Sequence, residues 1–137
     1  MAIEQNYNTE QGILTFKAKG DVSVDNVEMM LLSLLESDEF SHDVNTIWDI
    51  RELSFEYIDF EFIKKMVAMK KKYDSRRGDA KIAILSNYAL AAPIIKLYVI
   101  LSKGLSQKTN VFKSIEEAEY WLCKDKVTTS KNIRQLN

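Results

Sequence analysis

Lys81-Ile82-Ala83-Ile84-Leu85 decides the fold. After its lysine the run is wholly apolar, and Ser86-Asn87 closes it at once. A short apolar run between polar residues reads as a strand covered on both faces, as in the centre of a parallel sheet. Parallel neighbours need long crossovers, usually helical, so helices and strands are expected to alternate on either side. Downstream, Tyr88 to Lys103 reads as a helix stopped by Gly104, and Asn110 to Phe112 as a short strand. Ser114-Ile115-Glu116-Glu117 then has the form of a capping box, opening a helix through about Cys123. Upstream, Asp74 to Asp79 reads as a turn around Gly78. Before it, Asp59 caps a helix from Phe60 to Tyr73 with an apolar stripe of Phe62, Ile63, Met66, Val67, Met69 and Tyr73.

Further toward the N-terminus, Val44 to Ile50 reads as a strand, followed by a connection over residues 51–58. A helix capped by Ser23 or Asp25 runs to about Ser37. Its stripe is Val27, Met30, Leu31, Leu34 and Leu35, and Asp25 with Glu28 has the spacing of a capping-box variant. Ile3 to Tyr7 and Ile13 to Lys19 flank the turn residues Asn8 to Gly12 and read as a hairpin. The order β-β-α-β-α-β-α-β-α implies an α/β domain: a mainly parallel five-stranded sheet with an N-terminal β-hairpin and four helices. Leu14, Phe16, Leu31, Leu34, Trp48, Ile82, Ile84 and Leu122 are the expected core. One domain is expected over residues 1–125, with a polar tail at 126–137.

Composition narrows the function. The chain has 137 residues, of which 46% are hydrophobic and 28% charged, the profile of a globular domain that needs neither disulfide nor metal to fold. Cys123 is the single cysteine, which fits a reducing cytoplasm. The start, Met1-Ala2-Ile3-Glu4-Gln5, has no signal-peptide character, and the longest apolar stretch, Tyr88 to Leu101, is short of the roughly 20 residues a membrane span needs. The net charge of −1 conceals an acidic N-terminal stretch and a basic segment at residues 62–81.

Three stretches resemble the STAS domain superfamily, and within it the SpoIIAA-like group typified by bacterial anti-sigma-factor antagonists. Ile13-Leu14-Thr15-Phe16-Lys17-Ala18-Lys19-Gly20 is similar to that group's hairpin strand with its terminal glycine. Ile47-Trp48-Asp49-Ile50-Arg51-Glu52-Leu53 is similar to its hydrophobic–Asp–hydrophobic–Arg strand. Residues Val111 to Leu122 are similar to its closing strand and helix. The resemblance implies a regulatory or binding module. In phosphorylatable members a serine or threonine follows an aspartate at the next helix N-terminus. Here Asp59 is present, Phe60 stands in place of the hydroxyl, and Ser54 lies too early. The usual phosphoswitch is therefore expected to be absent. STAS-like folds also resemble lipid-binding CRAL-TRIO domains in architecture, which opens a second reading by analogy.

Little reactive chemistry is visible. His42, the single histidine, sits in an acidic loop and reads as solvated; Cys123 lacks a neighbouring base. Glycines at 12, 20, 78 and 104 stand alone, so neither a P-loop nor a dinucleotide fingerprint is present. No catalytic residue, cofactor or metal is expected.

Three features carry a functional reading beside an ordinary one. The basic run Lys64, Lys65, Lys70, Lys71, Lys72, Arg76, Arg77 and Lys81 is either an anion-binding surface or a solvated helix face. It lacks the aromatic interleaving of a nucleic-acid site. Asp49, Arg51 and Glu52, with Ser86 and Asn87, lie at the carboxyl ends of adjacent strands, where open α/β sheets place ligands; capping and loop hydrogen bonds are the ordinary reading. The helix Leu90 to Leu101, including Tyr98 and Val99, is apolar nearly all round. Its surplus surface needs a neighbouring helix, a second subunit or an apolar ligand. The leading expectation is a non-catalytic module acting through a homodimer or protein partner. The alternative is a carrier or sensor of a small apolar or lipid-like ligand, and a third, weaker one is an enzyme built on the polar strand ends.

Overall fold

Five strands form one sheet in the order in which they occur along the chain, in a computed structural model that describes residues 2–87 and 89–124. β1 (Ala2–Asn8) and β2 (Ile13–Gly20) make an antiparallel hairpin, and β3 (Asn45–Leu53), β4 (Lys81–Leu85) and β5 (Lys108–Phe112) follow in parallel. The helices are α1 (Val24–Glu36), α2 (Phe60–Lys72), α3 (Asp74–Arg77), α4 (Ala92–Leu101) and α5 (115–124). Right-handed crossovers that all step the same way place α1, α2 and α4 on one face of the sheet. The segment at 126–137 lies outside the described residues.

The two-residue period of the strands sorts the core into two layers. Leu14 and Phe16 of β2 pack with Leu34 and Leu35 of α1, while Ile84 of β4 packs with Met66 of α2 and Tyr98 of α4. On the opposite face Ile13, Ile47, Ala83 and Leu85 meet Ala118 and Leu122 of α5. Strand β4 is thus covered on both sides, which is why its sequence does not alternate. Of the expected core residues, Leu31 and Trp48 are half-buried and the rest are buried. Burying each large side chain contributes about 1.5–3 kcal/mol.

Local chemistry fixes the element ends. Asn8 accepts hydrogen bonds from the backbone of Glu10 and Gln11, and Gly12, at φ +67°, closes the hairpin. The capping box of α1 is formed by Ser23 and Asn26 rather than by Asp25 and Glu28. Ser23 Oγ accepts from the Asn26 N–H at 3.1 Å, and the Asn26 side chain accepts from the Ser23 N–H at 3.2 Å. Glu28 instead accepts the Tyr73 hydroxyl at 2.6 Å, which ties α1 to the end of α2 and holds its carboxyl below the usual range.

Three elements differ from the sequence reading. Residues 74–77 form a helical turn, so the described helices number five. Strand β3 runs on to Leu53 because it bulges against β2: Lys17 pairs with Asp49 but Lys19 pairs with Glu52. The helix expected from Tyr88 to Lys103 is divided. A 3-10 turn at Ala89–Ala91 leads into α4, Pro93 sits in the first turn of α4 where its missing N–H costs nothing, and a second 3-10 turn follows at Ser102–Gly104.

Candidate functional site

An apolar cavity of about 110 Å³ lies between the helical layer and the sheet. Its floor is Ala18, Trp48, Ile50 and Ile84, toward the carboxyl ends of β2, β3 and β4. Ile63 and Met66 of α2 and Ile94, Ile95 and Tyr98 of α4 form the roof, and Val22, Phe55 and Ile58 contribute from loops. Trp48 stacks on Phe16 with ring centroids 4.6 Å apart, and Ala18 contributes only a methyl group to the floor. Trp48 borders this space and is half-buried. Among the described wall residues only Lys70 is charged. For scale, an engineered cavity of about 150 Å³ lined by aliphatic and aromatic side chains stays dry and takes up benzene.

The apolar surplus of the α4 sequence is thereby divided. Ile94, Ile95 and Tyr98 turn toward the cavity, Leu97 and Val99 are half-buried, and Ile100 and Leu101 remain exposed. Lys96 faces solvent. Val99 is not among the cavity walls, whereas Tyr98 is.

The polar strand-end residues are placed differently from one another. Asp49 is buried and Arg51 is exposed, and the two are joined by a two-point ion pair. Arg51 Nε donates to Asp49 Oδ1 at 3.0 Å and Nη2 to Oδ2 at 2.9 Å, and the Arg51 backbone N–H adds a third bond at 3.2 Å. Burial by itself raises the Asp49 carboxyl pKa. The bonds from Arg51 and the charge of Lys17 outweigh it and hold the group below the usual carboxylate range. The same hydrogen bonds raise Arg51. Ser86, buried, has its backbone N–H bonded to Phe112 O at 3.0 Å, and Asn87 is exposed. These four residues therefore share an end of the sheet, with the Asp49 carboxylate committed to Arg51. Lys17 and Lys19 approach Glu52 at 3.3 and 3.9 Å, so both carboxylates on this part of the sheet have cationic partners.

The basic run does not assemble into one patch. Lys64 pairs with Glu61 at 3.7 Å and Lys72 with Glu28 at 3.5 Å. Lys81 lies over the Trp121 ring on the opposite face of the sheet. Arg77 is 4% exposed and donates to the carbonyls of His42 and Val44 at 2.7 and 2.8 Å, pinning the loop before β3. Burial pushes its pKa down to about 10, with Asp43 opposing, so it remains a cation at neutral pH. His42 and its loop neighbours are exposed, and Cys123 is half-buried against the α5 core. No group of three or more His, Cys, Asp or Glu is placed to hold a metal among the described residues.

At the start of α2, Asp59 caps the helix by accepting from the Phe62 N–H at 2.8 Å. Phe60 follows, 51% exposed, with the Lys64 ammonium 5.4 Å from its ring centroid. Phe60, where the STAS resemblance would place a hydroxyl, is thus a surface aromatic.

Strand order, crossovers and the closing helix together define a known architecture. The fold is SpoIIAA-like. A solved structure from Shewanella loihica, an uncharacterised protein of the DUF3478 family with a SpoIIAA-like fold, superposes with a TM-score of 0.60. The alignment covers 89% of this chain and 93% of that one, at 19% identity, so the likeness is one of fold. No protein-family model matches the chain, and no curated protein matches it in sequence. No helix among the described residues is long and apolar enough to cross a membrane.

Sequence reasoning named Tyr98 and placed Ile94 and Ile95 on the surplus apolar helix. Lys70 is a wall residue that the sequence reading places in the basic run, as part of either an anion-binding surface or a solvated helix face. The available signal was its spacing: Lys70 lies four and seven positions after Met66 and Ile63, on the buried stripe of α2.

Proposed function

We propose that this SpoIIAA-like chain is a non-catalytic binding module whose ligand is a small, largely apolar molecule held between α2, α4 and the sheet. The observation that carries this reading is the 110 Å³ cavity walled almost wholly by aliphatic and aromatic side chains. Well-packed interiors leave few voids larger than a water molecule, and an apolar space of this size gains favourable contacts when an apolar group fills it. Phe55 and Ile58, from the loop between β3 and α2, are among its walls, so occupancy would act directly on that loop. Tyr57 of the loop and Phe60 at the start of α2, both exposed, give this region an apolar surface for a protein partner. A sensor that couples ligand to partner through this loop follows from that arrangement. The absence of catalysis is part of the proposal, supported by the commitment of Asp49 to Arg51.

Native mass spectrometry of gently purified protein tests it. The expected result is a bound small molecule, lost from an Ile95→Trp variant that fills the space and keeps its fold. Wild-type protein that carries nothing and takes up no member of a small aromatic and aliphatic panel would overturn it. A second reading is self-association through the outer side of α4 and the 3-10 turn before it, favoured by Ile100 and Leu101 of the helix and Leu90 of the turn, which are 49%, 37% and 79% exposed. The same spectra report subunit number, and Ile100→Asp should dissociate such a dimer.

A further inference from the structure

The apolar cavity ends on a charge. Lys70 lies in the last turn of α2, half-buried, with its ammonium 5.1 Å from the centroid of the Tyr98 ring. Lys64 and Lys72 on the same helix each have a glutamate partner. Among the described residues no carboxylate lies within ion-pair distance of Lys70. Beside it is a second, smaller chamber of about 30 Å³, which shares the walls Val27, Trp48, Lys70 and Ile82 with the larger one. This inner chamber is also lined by Thr46 and Arg77, and by no aspartate or glutamate among the described residues. The Thr46 hydroxyl is 1% exposed and has no hydrogen-bond partner among the described residues. Buried polar groups are nearly always partnered by protein, water or a ligand. The inner chamber therefore brings the Lys70 side chain and the Thr46 hydroxyl together beside Arg77, whose guanidinium is already bonded to the carbonyls of His42 and Val44, and it has more room than the roughly 10–15 Å³ that one water requires.

We propose that the ligand is a small carboxylic acid bound head-inward, its hydrocarbon in the larger chamber and its carboxylate in the inner one, on the Lys70 ammonium with Thr46 Oγ1 donating. This rests on the reading of the cavity as a binding site and adds the ligand class. An anion answers the charge of Lys70, which has no carboxylate partner among the described residues, and a hydrogen bond between charged partners is stronger in a low-dielectric site than in water. A hydrocarbon of limited size answers the larger chamber. Its volume, below the roughly 150 Å³ that admits benzene elsewhere, selects a short aliphatic chain and disfavours long acyl chains.

The test is a methyl-NMR titration of isoleucine-labelled protein, following Ile84, Ile94 and Ile95, with hexanoate and with the neutral, similarly sized hexan-1-ol. The expected result is saturable shifts with both probes and hexanoate the tighter by about tenfold, the worth of a charge-assisted hydrogen bond. Lys70→Met should weaken hexanoate by a similar factor and leave hexanol unchanged; Lys70→Arg should retain most of the preference; Thr46→Val should lower it in part. If hexanol binds as well as hexanoate, or Lys70→Met affects both probes equally, the head-inward acid is wrong and the apolar site stands. If neither probe moves the methyls, both proposals fail.

Discussion

Two side chains illustrate how the fold pays opposite penalties for polar groups. Asp49 is buried with three bonds from Arg51, and its carboxyl pKa is depressed in consequence. A folded-state pKa below the unfolded value, about 3.9 for aspartate, contributes stability above that pH. That contribution is lost as pH falls through the folded value. Urea melts of the wild type should therefore weaken from about pH 5 downward, and Asp49→Asn should be less stable at about pH 7 yet flatter in acid. Parallel pH curves for the two proteins would show that the pair does not act this way. Thr46 presents the reverse case, a buried hydroxyl with no partner among the described residues. Leaving such a group unpaired costs about 1–3 kcal/mol. Thr46→Val should then raise stability by about 1 kcal/mol in denaturant melts, while weakening any acidic ligand. A loss of stability would mean that the hydroxyl is satisfied in solution. Stabilisation at the expense of binding is the usual sign of a residue kept for function.

At the level of elements, the capping box of α1 gives a further expectation. Ser23 and Asn26 each satisfy the other's backbone N–H, so Ser23→Ala should cost about 1 kcal/mol. A change under about 0.3 kcal/mol in thermal or denaturant melts would remove the cap from the list of stabilising features. The elements also show what a sequence reading reaches. Lys81 to Leu85 reads as a doubly covered strand because every residue after the lysine is apolar, and that constraint is local. The bulge that carries β3 on to Leu53 depends on how Lys17 and Lys19 register with Asp49 and Glu52, which no property of either strand alone reveals. The Asp25–Glu28 spacing imitates a capping box. Glu28 is drawn away by Tyr73, 45 positions later in the chain. Lys70 reads as one member of a basic run until α2 is docked and its stripe position turns it inward. Asp49 and Arg51 read as polar residues at the strand ends, and their pairing with one another emerges only in the fold. The cavity was not legible either, since it arises where α2, α4 and three strands fail to fill the space between them.

Across the whole molecule, one face of the sheet carries three helices and the other carries α5, with the cavity on the crowded side. Packing elsewhere on that side is close: Leu14 and Phe16 are 0% and 1% exposed. An apolar ligand that fills this cavity and binds only the folded state would raise stability by mass action. The most direct measurement is diffraction from crystals of the protein pressurised with xenon, an apolar atom that enters dry cavities and has no charge to steer it elsewhere. The expected result is a strong xenon peak among Trp48, Met66, Ile84 and Ile95. Its absence there, with those side chains closed on one another, would contradict the binding site itself.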